Sequence, residues 1–344
     1  MVTIKEMADK IGVSPTTVSN VIHGKTKEVS QQTIEMVMQV VKDNNYIPNM
    51  SARTLAQNSS RIIGVIMKYH QIEEKNAVQD PFHSEIIGAL ETKIREAGYY
   101  MMLYSSDNVE DILKLTATWS VDGLILLGIH AHDCQSIKKQ TEKAIVFIDC
   151  YFYDDGIPYV NVGLEDMKST YDMTNYIISQ GHTKIAFLSD NRIGVDEERW
   201  KGYYQALKDH NINCSEENYI KLDSVPEVLN ASLEKLYHRI GEFTALFFAS
   251  DFYAIKAINY FYDRGLKVPD DISVVGFDDN ILGRNIRPRL TTVRQNPSEK
   301  GELAVKQLVS ILNNEKLDRN NIRVSAKLMI RDTVKNLYNG TSTV

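Results

Sequence analysis

What is scarce in this chain narrows its class before any motif is read. Among 344 residues there are three cysteines, Cys134, Cys150 and Cys214. They are too few and too scattered for a disulfide framework or a zinc ribbon. No run approaches the roughly 18–20 apolar residues that span a bilayer. The amino terminus, MVTIKEMADK, has no apolar core and no small-residue cleavage site, so it does not read as a secretory signal. There is no Gly-rich phosphate loop, no nucleophile elbow and no HExxH, so no motif positively supports catalysis. A cytoplasmic protein without cofactor or resident metal is the expectation.

Positive charge is also short: the net charge is −6. The deficit is uneven, however. Residues 1–60 carry six Lys/Arg against five acids, while the remainder carries 33 against 40. A nucleic-acid contact is therefore expected at the N-terminal end, and the acidic body should repel phosphate. The 43% hydrophobic content is that of a globular protein, and the length implies two or three domains.

Residues 1–48 read as three short helices. Ile4, Met7, Ala8 and Ile11 fall at helical spacing and stop at Gly12. Ser14 is a good N-cap with Pro15 at the first helical position, and a third helix opens at Ser30. The first two helices form a helix-turn-helix whose second member presents Pro15, Thr16, Thr17 and Asn20 to a major groove. Asn20 suits an adenine edge, and Ser14, Thr17 and Ser19 suit phosphates. A plain helical cap on an α/β domain is the competing reading, since Ser-Pro opens many ordinary helices.

Residues 49–60, a polar and poorly periodic stretch, read as a hinge too short to hold a helix alone. From Arg61 the pattern alternates between buried strands and helices. Strand runs fall at 62–67, 99–104, 123–127 and 144–148, then at 184–188, 245–248 and 273–277. That alternation predicts two lobes of doubly wound parallel sheet with a cleft between them. Asp149, Asp251 and Asp278 each follow a strand run, so all three are expected to line the cleft. They would accept hydrogen bonds from ligand hydroxyls or amines; the enzymatic alternative makes two of them an acid/base pair for glycosidic chemistry. In GIHAHDC an extended backbone would set His130, His132 and Cys134 on one face, but no fourth zinc ligand stands at a usual spacing.

The motifs TIKEMADKIGVSPTTVSNVIHG, VSQQT, NYIPNMSARTL, IIGVIM, VDGLILL, ERWKGYYQAL, FFASD, VPDDISVVGFDDN and PRLTTVRQN stand in that order between Thr3 and Asp332. With them the chain resembles the lactose-repressor and purine-repressor (LacI/GalR) family of bacterial transcription regulators. The resemblance implies a helix-turn-helix headpiece (1–48), a hinge helix (49–60) and a two-lobed core like the periplasmic sugar-binding proteins (61–340), with three crossovers. The N-lobe is then expected at about 61–161 and 292–321, and the C-lobe at about 162–291 and 322–340. It also implies a homodimer on a palindromic double-stranded operator, most simply a repressor, released or engaged by a small effector, a sugar or sugar derivative. The chain ends in NGTSTV without an apolar heptad, so no tetramer-forming tail is expected.

Carried over residue by residue, the resemblance adds Thr3, His23, Ser30, Thr33, Asn49, Ala52, Arg53 and Leu55 to the DNA contacts, with Leu55 as a wedge between central base pairs. It implies Arg199 and Asp278 as holders of the effector. Asp149, Asp80, Phe82 and His83 would close the other wall, and Tyr69, Ser250, Asp251 and Phe252 would approach it. The chain departs from the family pattern at Asn20, where many relatives have arginine, and at Ser250, where sugar-binding members have asparagine. Val162-Gly163 replaces a frequent Asp-Asn pair, and Asp80-Pro81 the usual Asn-Pro. These departures bear on the half-site read and on whether the ligand is a simple hexose. The rival functions are a transporter's solute-binding protein, against which residues 1–48 argue, and a cytoplasmic sugar-binding or sugar-modifying protein without a regulatory role.

Overall fold

The structure is a computed structural model, and it describes residues 2–22, 24–46, 59–67, 77–106, 108–151, 158–223 and 225–338. It divides into two units, Met1–Ser60 and Arg61–Val344.

In the first unit α1 (Ile4–Ile11) is opened by a capping box. Thr3 Oγ1 accepts from the Glu6 N–H, Glu6 accepts from the Thr3 N–H, and Gly12 closes the helix at φ 70°. In α2 (Pro15–Ile22) Ser14 Oγ accepts from the Thr17 N–H at 3.0 Å. In α3 (Gln31–Asp43) Ser30 Oγ accepts from the Thr33 N–H at 3.2 Å. Met7, Ala8, Val18, Val21, Val37 and Val40 bury their side chains together, one or two turns from each helix. A core this small leaves the capped helix starts on the surface.

The second unit begins with β1 (Ile62–Met67), α4 (Pro81–Glu96), β2 (Tyr100–Ser105), α5 (Val109–Thr118), β3 (Gly123–Leu127), α6 (Ala131–Gln140), β4 (Ala144–Ile148) and β5 (Asn161–Leu164). The chain then crosses to α7 (Asp166–Ser179), β6 (Ile185–Ser189), α8 (Val195–Asp209), β7 (Tyr219–Lys221), α9 (Pro226–His238), β8 (Ala245–Phe248), α10 (Asp251–Tyr262), β9 (Ser273–Asp278), α11 (Ile281–Asn285) and β10 (Thr291–Arg294). It returns with α12 (Pro297–Leu312) and β11 (Asn321–Val324), and crosses a third time to β12 (Lys327–Met329).

One six-stranded sheet runs β11-β5-β4-β3-β1-β2 and the other β12-β10-β9-β8-β6-β7; among the described residues only β12 pairs antiparallel, with β10. Continuous apolar strands such as Gly123–Leu127 are buried at every position because helices cover both faces. In the C-lobe α7 and α8 approach so closely that a Cβ at Gly202 would collide with the Met167 carbonyl.

Three lobe boundaries differ from expectation. β5 and β11 run three residues past the expected breaks at 161/162 and 321/322 and pair with each other in the N-lobe sheet. β10 pairs with β9 through Arg294, so the chain leaves the C-lobe after 294 rather than at 291. Hydrogen bonding carries each strand to its sheet end before the chain can turn. The GIHAHDC segment is also not extended: His130 is the N-cap of α6, and Cys134 and Ile137 form its buried stripe at helical spacing. His132 is consequently solvent-exposed while Cys134 is buried, so the three residues do not share a face.

Candidate ligand cleft and DNA-reading helix

Between the lobes lies a cavity of about 850 Å³, lined from the C-terminal ends of β3, β4, β6, β9 and β10. Two of its carboxylates sit on left-handed backbone, Asp149 at φ 57° and Asp278 at φ 132°. Non-glycine residues adopt such angles at a cost, so the surrounding fold must over-determine them; such positions cluster at functional sites.

The C-lobe wall is organised by Arg199. From α8 its Nε donates to Asp166 Oδ1 at 2.8 Å and its Nη1 to the Ala249 carbonyl at 2.7 Å, with Asp196 Oδ1 3.8 Å away. The guanidinium lies 3.7 Å from the centre of the Phe277 ring. Burial opposes its charge, but Asp166, Asp196 and Asp278 together outweigh that and raise its pKa. Asp278 accepts from Ser250 Oγ at 3.0 Å and from Gln295 Nε2 at 2.6 Å. Burial pushes its pKa up to about 6, against the pull of Arg199. Asp196, also buried, is pushed to about 8.

The N-lobe wall is organised by Lys300, fully buried on α12. Its ammonium donates to both oxygens of Asp149, at 2.8 and 2.7 Å, and to Gln295 Oε1 at 2.8 Å. Because Gln295 also donates to Asp278, one relay of four side chains runs Asp149–Lys300–Gln295–Asp278 and joins the two lobes. Burial raises the pKa of Asp149 in spite of Lys300. A second tie crosses at Tyr151, whose hydroxyl donates to Asp166, with the Leu164 carbonyl 3.2 Å from the same oxygen. At the mouth Asp80 caps α4 by accepting from the His83 N–H at 2.9 Å, and burial lowers the His83 pKa.

Asp80, Phe82, His83, Asp149, Arg199, Ser250, Phe252 and Asp278 all line this cavity. Asp251 does not. As the first residue of α10 it is wholly buried, accepts from Thr292 Oγ1 at 2.6 Å and from the Asn280 N–H at 2.9 Å, and packs on Gly276. It follows a strand run, but the helix turn aims its carboxylate back into the lobe, where it ties the start of α10 to β10 and to the start of α11.

Gln295, Lys300, Asp166, Asp196 and Tyr151 were not singled out from sequence. For Lys300 a signal existed: it falls on the buried stripe with Pro297, Gly301, Ala304 and Leu308, where an unpaired charge is not tolerated. Tyr69, His23, Asn49, Ala52, Arg53 and Leu55 lie outside the described residues.

In the first unit Ser14, Pro15 and Thr16 are exposed, and Thr17, Ser19 and Asn20 are half-buried along the start and middle of α2. Thr3 and Ser30 are exposed, and Thr33 is half-buried. Each of the three helices thus begins on a surface hydroxyl.

Comparison with known proteins gives a consistent picture. A family model described as bacterial regulatory proteins, lacI family, matches residues 3–49, and one described as a periplasmic binding protein-like domain matches residues 174–334. The chain is 32% identical over 343 residues to the HTH-type transcriptional regulator MalR of Clostridium butyricum, covering 97% of this chain and 99% of that one. It is 30% identical over 348 residues to the HTH-type transcriptional repressor PurR of Mannheimia succiniciproducens, covering 98% and 100%. Among solved structures, the lac repressor dimer bound to operator and the anti-inducer ONPF matches with a TM-score of 0.84 at 25% identity, over 97% and 99% of the two chains.

Proposed function

The chain belongs to the lacI family of bacterial regulatory proteins, and from that membership we propose that it acts as a homodimeric repressor on a near-palindromic operator, with affinity set by a small polar ligand in the cleft. The observation that carries the ligand reading is the inter-lobe relay Asp149–Lys300–Gln295–Asp278 beside Arg199. A molecule that enters between these groups exchanges hydrogen bonds with both lobes at once, and so acts on the angle between them. Arg199 offers planar donors and Asp278 paired acceptors, a combination suited to a polyhydroxylated ligand such as a sugar or sugar derivative.

The cleft binds and does not turn its ligand over. Its two carboxylates on strained backbone are engaged, Asp149 with Lys300 and Asp278 with Gln295 and Ser250, rather than standing as an acid/base pair. On the DNA side α2 enters the major groove, Asn20 reads a base edge, and Thr3, Ser14, Thr17, Ser19, Ser30 and Thr33 hold phosphates where helix N-termini favour them. The hinge, with Asn49, Ala52, Arg53 and Leu55, links the two events by folding when two copies meet on the operator. No helix among the described residues is long and apolar enough to cross a membrane. As a DNA-binding regulator like its relatives, it would act at the cytoplasmic nucleoid.

Selection of bound duplexes from a randomised pool tests the DNA reading, and a thermal-shift panel of sugars, sugar phosphates, nucleosides and amino acids tests the ligand reading. A near-palindrome should be enriched, and Asn20→Ala should cost about 1–3 kcal/mol and relax one base pair per half-site. Asp278→Ala should abolish the shift given by the ligand that the panel finds. No enrichment over random DNA, or turnover of that ligand, would overturn the assignment.

A further inference from the structure

Two of the three cysteines, sixteen residues apart in sequence, meet in the N-lobe core with their sulfurs 2.9 Å apart. Cys134 comes from the first turn of α6 and Cys150 from the exit of β4, and both are buried. The separation is under one ångström more than a disulfide's about 2.05 Å. The pair sits directly behind the cleft wall. Ile129, His130 and Ala131, just before Cys134, line the cavity, as do Asp149 and Tyr151 on either side of Cys150. The third thiol, Cys214, belongs to the C-lobe and packs beside its core.

We propose that Cys134 and Cys150 form a reversible dithiol–disulfide pair, oxidised by a hydroperoxide, whose bond clips the start of α6 to the loop that carries Asp149 and Tyr151 into the cleft. Cys134 donates its S–H toward the Ile129 carbonyl at 3.4 Å. Burial, then Cys150 and Asp133, hold it in the thiol form. One sulfur of the pair, as the thiolate, attacks one peroxide oxygen; the O–O bond breaks, and the departing hydroxide takes up the proton released from that thiol as water. The second sulfur, 2.9 Å away, then attacks the sulfenic sulfur, the S–O bond breaks, and the second hydroxide leaves with the second thiol's proton. Two thiols and one hydrogen peroxide give one disulfide and two waters, with two electrons passing from sulfur to oxygen. In a reducing compartment the pair rests as the dithiol.

The test uses the full-length native protein treated with hydrogen peroxide, alkylated, unfolded and mapped by mass spectrometry. The expected result is a loss of two hydrogens, a fall from three titratable thiols to one, a peptide pair joined through Cys134 and Cys150, and reversal by dithiothreitol. Cys214→Ser should oxidise as the parent does, and Cys134→Ala should give no internal cross-link. Amide exchange over 129–131 and 149–151 should slow on oxidation, since the clip removes opening motions of that wall. Three alkylatable thiols after treatment would overturn the proposal. So would a bond to Cys214 or between chains, a cross-link formed only in denaturant, or faster exchange at the cleft wall.

Discussion

The two walls of the cleft each bury one cation, and they use it differently. On the N-lobe side Lys300 is a compact charge matched one-to-one with Asp149, with Gln295 taking its remaining donor. On the C-lobe side Arg199 faces Asp166, Asp196 and Asp278, so carboxylates outnumber the guanidinium. The first arrangement is a closed pair. The second is short of positive charge, and the carboxyl pKa values of Asp278 and Asp196 rise to about 6 and about 8 as a result of their burial there. Burial raises the carboxyl on both walls, Asp149 included, so the difference lies in geometry: Lys300 fixes one carboxylate, while Arg199 is shared among three.

The sharpest way to break this contrast is to remove each cation in turn. Arg199→Leu should destabilise the protein by about 4–5 kcal/mol in urea denaturation at neutral pH, because several buried carboxylates lose one counter-charge. Lys300→Met should cost less, about 3 kcal/mol, and the double variant with Asp149→Asn should recover most of that loss. A double variant no better than Lys300→Met would show that Asp149 and Lys300 are not a closed pair.

Asp196→Asn should act in the opposite direction, as a gain on the order of a few kcal/mol at pH 7. The sign follows from the direction of the shift. The folded pKa is raised from 3.8 to about 8, so this carboxyl's stabilising contribution is complete below pH 3.8 and is lost as pH rises toward 8. Denaturation of parent and variant across that range should diverge and then run parallel above pH 8; a constant difference would refute it. The smallest effect, about 1 kcal/mol, is expected for Gln295→Ala, since water can fill the gap and bridge Lys300 to Asp278. A much larger loss would mean that the relay, rather than either cation, holds the lobes.

Legibility differed between these regions for a physical reason. Asp149 and Asp278 could be read because each follows an apolar run, and a parallel sheet places strand ends at a cleft. The same rule failed at Asp251, where the residue opens a helix and its carboxylate is recruited by Thr292 and Asn280. It was silent at Lys300, which reaches Asp149 across 151 residues of chain. The alternation in GIHAHDC is too short to fix a period, and the extended face it would make gives way to the helical spacing of Cys134 and Ile137.

Local order, then, was settled by the sequence: hydroxyl caps at Thr3, Ser14 and Ser30, glycine at the end of α1, unbroken apolar runs for covered parallel strands. These depend on neighbours within about four residues, which any chain segment carries with it. Tertiary structure alone decided where the chain crosses between lobes, which cysteines touch and which carboxylate meets which cation. Those are matters of strand order and of charges forced together by burial, and a buried charge takes whatever partner the fold brings within hydrogen-bonding reach.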